Sequence, residues 1–463
     1  MSRPVALLAT GRSTFVQEAG RSMHRRARAT LASLDAEVQG PDDLVETSSE
    51  VEAAGFAPDG RLGILLCATF ADASVAEAAF GASKDPVLLW AVRDPAPRGE
   101  RLYLNSLCGA NLAAHALVRR GVPVRLIYGN PEEAGVRDAL ARVLRREPYS
   151  ATTRSARPCG AMAPAAEVEK SLDELRGQTI GLIGESPIGF TTCEYDPTWL
   201  QDALGIRVHR LPLRRAFELI ESAPVERRQA ELKAATADAP SLRELPPRQV
   251  ETYAATTCAL GDWARQEDLA GLALRCWPEF PLELGACPCS ALGRLAERGV
   301  QTACEADVNG AATMLLLRQL GARDTYLADV VRVDETADTA TFWHCGLAPM
   351  SLAADPERAR QDVHCNRGVG VAGNFQLRPG PVTIARIGWS GAHRMFLTAG
   401  EALPGPNRFK GNSIDVRLEG GSMRVVRTLI ESGFEHHTVL AWAELRPQLR
   451  RAAQLLGMDL VEV

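Results

Sequence analysis

Glu305 and Asp329 are the residues whose type and placement best suit chemistry. Each closes a short aliphatic run, 300–305 and 325–329, and one helical stretch, 310–320, lies between them, as in a right-handed strand-helix-strand unit. Adjacent strands lie roughly 5 Å apart, so two carboxylates at their carboxyl ends could share one hard divalent cation. An acidic strand end is poor packing material unless paired or metal-bound, which singles out Glu305. Asp307 and Asn309, just after it, have a simpler reading as caps of the following helix. His436 and His437 precede Val439, Leu440 and Trp442, so one imidazole is expected to point inward. Two carboxylates plus an imidazole suit manganese or magnesium better than a closed structural zinc.

Other motifs carry less. Cys276, Cys287, Cys289 and Cys304 match no paired CxxC spacing, and zinc is not expected there. The glycine-rich run 181–189 follows a strand, but Pro187 would interrupt the helix that a dinucleotide needs for its phosphates. Thr10, Arg12 and Ser13 follow the first strand and offer a guanidinium for hydroxyls or an anion, or simple helix capping.

The elements that must position these residues fall into three groups. From 4 to 147 short aliphatic strands alternate with helices, a doubly wound α/β pattern. A polar segment at 150–164 leads into a second α/β unit, with strands at 179–183, 206–212, 271–276 and 300–305 and a helix at 247–266, ending in a strand at 339–344. After 354 glycine and proline become frequent, and short strands at 368–375, 381–387, 413–418 and 422–428 suggest a small barrel or sandwich before a final helix at 442–457. The expected architecture is two doubly wound, Rossmann-like α/β domains, 1–165 and 166–350, followed by a β-barrel-like C-terminal domain, 351–463.

Composition narrows the function classes. The chain has 463 residues, 46% of them hydrophobic, and a net charge of −5, which gives no electrostatic footprint for nucleic acid or anionic membrane. The amino terminus lacks the basic flank and apolar core of a signal peptide, and no apolar run is long enough to span a bilayer, so a cytoplasmic location is expected. The 11 cysteines sit mostly in apolar surroundings, which suits reduced thiols rather than disulfides.

Several segments together resemble the L-fucose isomerase and L-arabinose isomerase superfamily, over nearly the whole chain. They are 105–111, 181–190 with Tyr195 and Asp196, 276–279, 304–311, 342–346 and His436 with His437. The resemblance implies two α/β domains, a β-rich third domain, and a divalent metal, Mn2+ or else Mg2+ or Co2+, held by Glu305, Asp329 and His437. It implies aldose-ketose isomerisation of a monosaccharide through a cis-enediol, with Glu305 and Asp329 as the acid/base pair. Arg12, Trp277 and Glu279 are similar in position to substrate-contacting residues, and His344 and His393 join them as candidate sugar ligands. A homo-oligomer, trimer or hexamer, with sites near subunit interfaces is implied as well. The substrate is either a neutral sugar of the L-fucose or D-arabinose type or an anionic one such as sulfoquinovose, for which Arg12, Arg367, Arg386 and Arg394 could supply the cation. Rival readings are an intracellular sugar-binding or regulatory protein and a metal-dependent aldolase or epimerase.

Overall fold

Strands buried in every residue, such as Val5–Ala9 and Leu62–Cys67, leave no face for solvent and therefore demand helices on both sides. The computed structural model describes residues 4–147 and 160–463; of the polar segment expected at 150–164, residues up to 159 lie outside the described ones. The first layer is a five-stranded parallel sheet in the order Val38–Gln39, Val5–Ala9, Leu62–Cys67, Val87–Ala91, Val124–Tyr128. The second is a four-stranded parallel sheet in the order Arg207–Leu211, Thr179–Ile183, Leu269–Leu274, Gln301–Cys304. Pro247–Gln266 is one helix, with proline at the start where its missing N–H costs nothing.

The third layer is a closed six-stranded antiparallel barrel, built from Asn412–Leu418, Thr339–His344, Thr325–Asp334, His437–Ala441, Gly380–Trp389 and His393–Ala402. Closure comes from the pairing of His393–Ala402 back onto Asn412–Leu418. The architecture is thus the expected one, parallel Rossmann-like sheets followed by a barrel. Its strand content differs in one way that matters. Thr325–Asp334 is not the parallel neighbour of Gln301–Cys304; it runs antiparallel between Thr339–His344 and His437–Ala441 inside the barrel. A strand after a helix reads alike from sequence whether it returns to the old sheet or starts a new one, and the ladder partner that decides is far downstream. Thr339–His344 moves with it, from the expected end of the second unit into the barrel.

Two local expectations also change. The strand expected at 422–428 is a helix, Ser422–Glu431, whose buried Val425, Val426, Leu429 and Ile430 recur at helical spacing. The final helix is shorter than 442–457, spanning Arg446–Leu455 with Pro447 in its first turn. The ten described cysteines are free thiols, eight of them buried. No helix among the described residues is long and apolar enough to cross a membrane.

The largest apolar cluster runs through all three layers, so the barrel and the sheets share a core. One buried polar group in that shared region carries a pH signature. His115 is fully buried, with Nδ1 3.0 Å from Thr191 Oγ1 and Nε2 3.3 Å from the Trp389 carbonyl, and burial pushes it from 6.5 down to about 3. A histidine kept neutral in the fold stabilises it fully above its unfolded value and progressively less as pH falls through the window from 6.5 toward 3. At pH 5 the loss from this group is about 2 kcal/mol. His115→Asn is therefore expected to flatten the fall in stability between pH 7 and pH 5 by about that amount; equal slopes for the two proteins in denaturant titrations would refute the assignment.

Candidate active site

Glu305 leaves the Gln301–Cys304 strand in a left-handed conformation, φ 59°, and Ala306 follows at φ 58°. Two consecutive non-glycine residues in this region are strained, and such strain persists only where the surroundings over-determine it. Here the turn is pinned by Ala306 N donating to the Leu274 carbonyl at 2.9 Å and Asp307 N to the Cys304 carbonyl at 3.1 Å. The turn delivers Glu305 toward the barrel. Asp307 then caps the helix Val308–Gln319 by accepting from Gly310 N at 2.8 Å.

Asp329 reaches the same place from the other side. It lies within its barrel strand directly opposite His437, the first residue of His437–Ala441, so the antiparallel register brings the two side chains together. His437 Nε2 stands 3.6 Å from Glu305 Oε2 and 3.7 Å from Asp329 Oδ1. Its Nδ1 lies 2.9 Å from Asp307 Oδ2. An ionised carboxylate only accepts, so Nδ1 carries the proton and Nε2 presents its lone pair to Glu305 and Asp329. Asp307 is in turn gripped by Arg386, at 2.6 and 2.9 Å, and both side chains are completely buried.

His436 is buried beside His437, so both imidazoles point inward rather than one. Its Nε2 is 3.0 Å from Glu305 Oε2 and 4.0 Å from Asp329 Oδ1. Trp277 Nε1 donates to the other Glu305 oxygen at 3.2 Å. Burial alone would raise Glu305, but the His436 hydrogen bond and the nearby imidazoles outweigh it and hold the carboxyl at about 2. For Asp329 burial wins, and the group rises to about 6 despite His437 and His344. Burial together with His436 lowers His437, which keeps the ring neutral and fit to be a ligand.

Asp329 Oδ1 and His437 Nε2 are buried without a hydrogen-bond partner. Orphaned acceptors facing one another cost stability unless something positive sits between them. Glu305, His436 and His437 lie together with Cys193, and Asp329 and His436 with Cys108, as two ligand-bearing groups that share His436 and could hold a divalent cation.

The cluster opens into a cavity lined by Glu305, Asp329, His436, His344, Trp277 and Arg12 among others. Phe70 and Phe190 form an aromatic wall beside Trp277, whose ring centroid is 5.0 Å from that of Phe190. Five of the eight residues singled out from sequence thus line one space, and His437 sits against two of them. Glu279 does not reach it, being paired with Arg275 at 2.6 and 2.9 Å. His393 does not either; it stacks on Trp199 with centroids 4.2 Å apart and lies 3.7 Å from Asp196. Among the four arginines considered for an anion, Arg12 and Arg367 line the cavity. Arg386 is spent on Asp307, and Arg394 donates to the Ser432 carbonyl at 2.6 Å beside Phe434.

Sequence reasoning missed His436 as a full member and the part that Asp307 plays in orienting His437. The acidic and imidazole run Glu435, His436, His437 leading into a wholly buried strand was the available signal, since three such residues in a buried approach need partners.

No protein-family model matches the chain. Curated relatives named sulfoquinovose isomerase match nearly all of it. One from Alkalicoccus urumqiensis is 34% identical over 425 residues, covering 91% of this chain and 89% of its own. One from Priestia aryabhattai is 30% identical over 456 residues, 97% and 96% of the two chains, and one from Clostridium sp. (strain MSTE9) is 30% identical over 459 residues, 98% of each. With that coverage, and with carboxylates and imidazoles gathered at one cavity, the chain belongs to the sulfoquinovose isomerase family and is an aldose-ketose isomerase.

Proposed function

We propose that this protein isomerises sulfoquinovose, an aldose carrying a sulfonate, to the corresponding ketose. The observation that carries the reading is the pair of guanidinium groups flanking Trp277 in the cavity, Arg12 at 4.4 Å and Arg367 at 5.5 Å from its ring centroid. Arg12 also pairs with Asp72 at 2.6 Å, which fixes its position, and the relatives' name states the same sugar. Planar guanidinium groups match the oxygens of an anionic group better than they match a neutral hydroxyl.

A divalent cation, Mn2+ first and Mg2+ or Co2+ as alternatives, fits the orphaned oxygen of Asp329, the free Nε2 of His437 and the ionised Glu305 between them. When bound it would supply Lewis-acid stabilisation of the charge that develops on the two adjacent sugar oxygens. The chain's own residues do the rest. Asp329, raised toward neutrality, takes the proton from C2 and returns it to C1 through a cis-enediol, while the hydroxyl proton of O2 passes to O1. Glu305 stays ionised throughout, steadied by His436 and Trp277. Phe70, Phe190 and Trp277 exclude water from the enediol. Kinship with the L-fucose and L-arabinose isomerases is proposed on the same cluster. A trimer or hexamer is proposed as well, supported by Ile188 and Leu282, 81% and 78% exposed beside cavity residues Phe190 and Pro281.

The test is to incubate the manganese-loaded protein with sulfoquinovose, L-fucose and D-arabinose in D2O and follow the products by NMR. Ketose carrying deuterium at C1 is expected from sulfoquinovose, with Arg12→Ala and Arg367→Ala raising KM for it by about 10-fold or more and sparing any neutral sugar. Equal kcat/KM on a neutral sugar would overturn the substrate; cleavage products would indicate an aldolase, a C2 epimer an epimerase, and no exchange a binding protein.

A further inference from the structure

We propose that Cys289, Cys345 and His364 form a second metal site on the cavity wall, for a borderline-soft divalent cation of the zinc class. The three residues come from separate rigid elements. Cys289 begins the helix Cys289–Glu297, Cys345 follows the barrel strand Thr339–His344, and His364 follows the strand Arg360–Val363. Their ligand atoms all lie within 4.8 Å of one another. The two sulfurs are 3.8 Å apart. Tetrahedral zinc with Zn–S bonds of about 2.3 Å holds its thiolates about 3.8 Å apart, so the spacing suits a shared ion with little movement.

All three residues line the same cavity as Glu305 and Asp329, so the remaining coordination positions face the space where the sugar is proposed to bind. Three protein ligands with an open position are the pattern of an accessible zinc site rather than a closed structural one. The donor chemistry separates the two sites, because thiolates and imidazole select zinc, cobalt or cadmium while a carboxylate-rich site accepts manganese or magnesium. Binding displaces the two thiol protons to solvent. His364 Nδ1 at present accepts from Asn366 N at 3.1 Å, a bond local to one turn and weak beside a metal-nitrogen bond. The sparse sequence spacing of these cysteines gives no hint of the site, because its ligands are brought together from three elements distant in the chain.

The inference does not depend on which sugar is turned over, and its test reads the metal alone. Protein already loaded with manganese is titrated with Co2+ under reducing conditions. The expected result is one further equivalent of cobalt with a thiolate-to-cobalt charge-transfer band and the visible bands of a tetrahedral centre. Cys289→Ser and Cys345→Ser are each expected to lose the charge-transfer band, and Glu305→Gln to keep it. Cobalt bound without that band, or a band that survives both serine substitutions, overturns the site. Because a cysteine variant could fail to fold, cadmium NMR on the unmodified protein provides an independent reading: a resonance in the mixed sulfur-nitrogen range supports the site, and one confined to the oxygen-ligand range overturns it.

Discussion

Glu305→Gln is expected to lower kcat by about 10³-fold or more and to abolish binding of the proposed divalent cation, read with added Mn2+, at the carboxylate-imidazole centre. Glutamine keeps the length and can still accept from Trp277, so the turn at 305–306 survives, but the charge is gone. The charge is what the site is organised around. His436 and the imidazoles near it hold Glu305 at about 2, well below the usual carboxylate range, so the native group is ionised at any working pH. Its removal leaves Asp329 as the sole carboxylate facing His437 Nε2, too little charge to retain a hard cation. Metal content and steady-state turnover, measured on the same preparation, decide the matter. A variant that keeps both its manganese and full turnover would sink the assignment of Glu305.

The second large effect lies one layer back. Asp307→Ala is expected to destabilise the fold by about 3–5 kcal/mol, because it strips a completely buried Arg386 of its bidentate partner. The remaining carboxylate near that guanidinium, Glu435, is 3.6 Å away and already accepts from Trp389 N at 2.6 Å. The same substitution frees His437 Nδ1 from the acceptor that fixes its tautomer, and loss of such an orienting partner typically costs roughly 10–100-fold in metal affinity. The two consequences can be separated. In Asp307→Leu combined with Arg386→Met the bidentate pair disappears together and only Glu435, which keeps its bond from Trp389 N, loses a neighbouring cation, so a substantial part of the stability should return while metal affinity stays low. If the double variant recovers both, Asp307 serves the fold alone; if it recovers neither, the pair is not the source of the stability loss.

Much of this molecule is legible residue by residue. The helix at 247–266 and the strand at 179–183 are found where their apolar patterns put them, because proline at a first turn and a run of aliphatic residues act locally. The helix Ser422–Glu431 reads as a strand from its sequence, since its β-branched pair Val425 and Val426 masks a helical spacing visible only once Leu429 and Ile430 are counted. Glu305 and Asp329 do meet, but not as neighbours in one sheet. Glu305 arrives on a left-handed turn at the edge of a parallel sheet, and Asp329 arrives through an antiparallel register with His437.

What the sequence by itself determined is the type of chemistry. Uncompensated carboxylates and adjacent histidines beside apolar strands must be paired or ligated, since burying them alone costs too much, and that requirement holds whichever strands they end. What only the tertiary structure decided is the company they keep: His436 as a full partner, Asp307 and Arg386 behind His437, Arg12 and Arg367 close to Trp277, and two thiols and an imidazole lining the same cavity. The contacts of Asp329, His436 and His437 pass through the register of the barrel, and the others join loops from separate sheets, so all depend on partners distant in the chain and leave no local pattern to read.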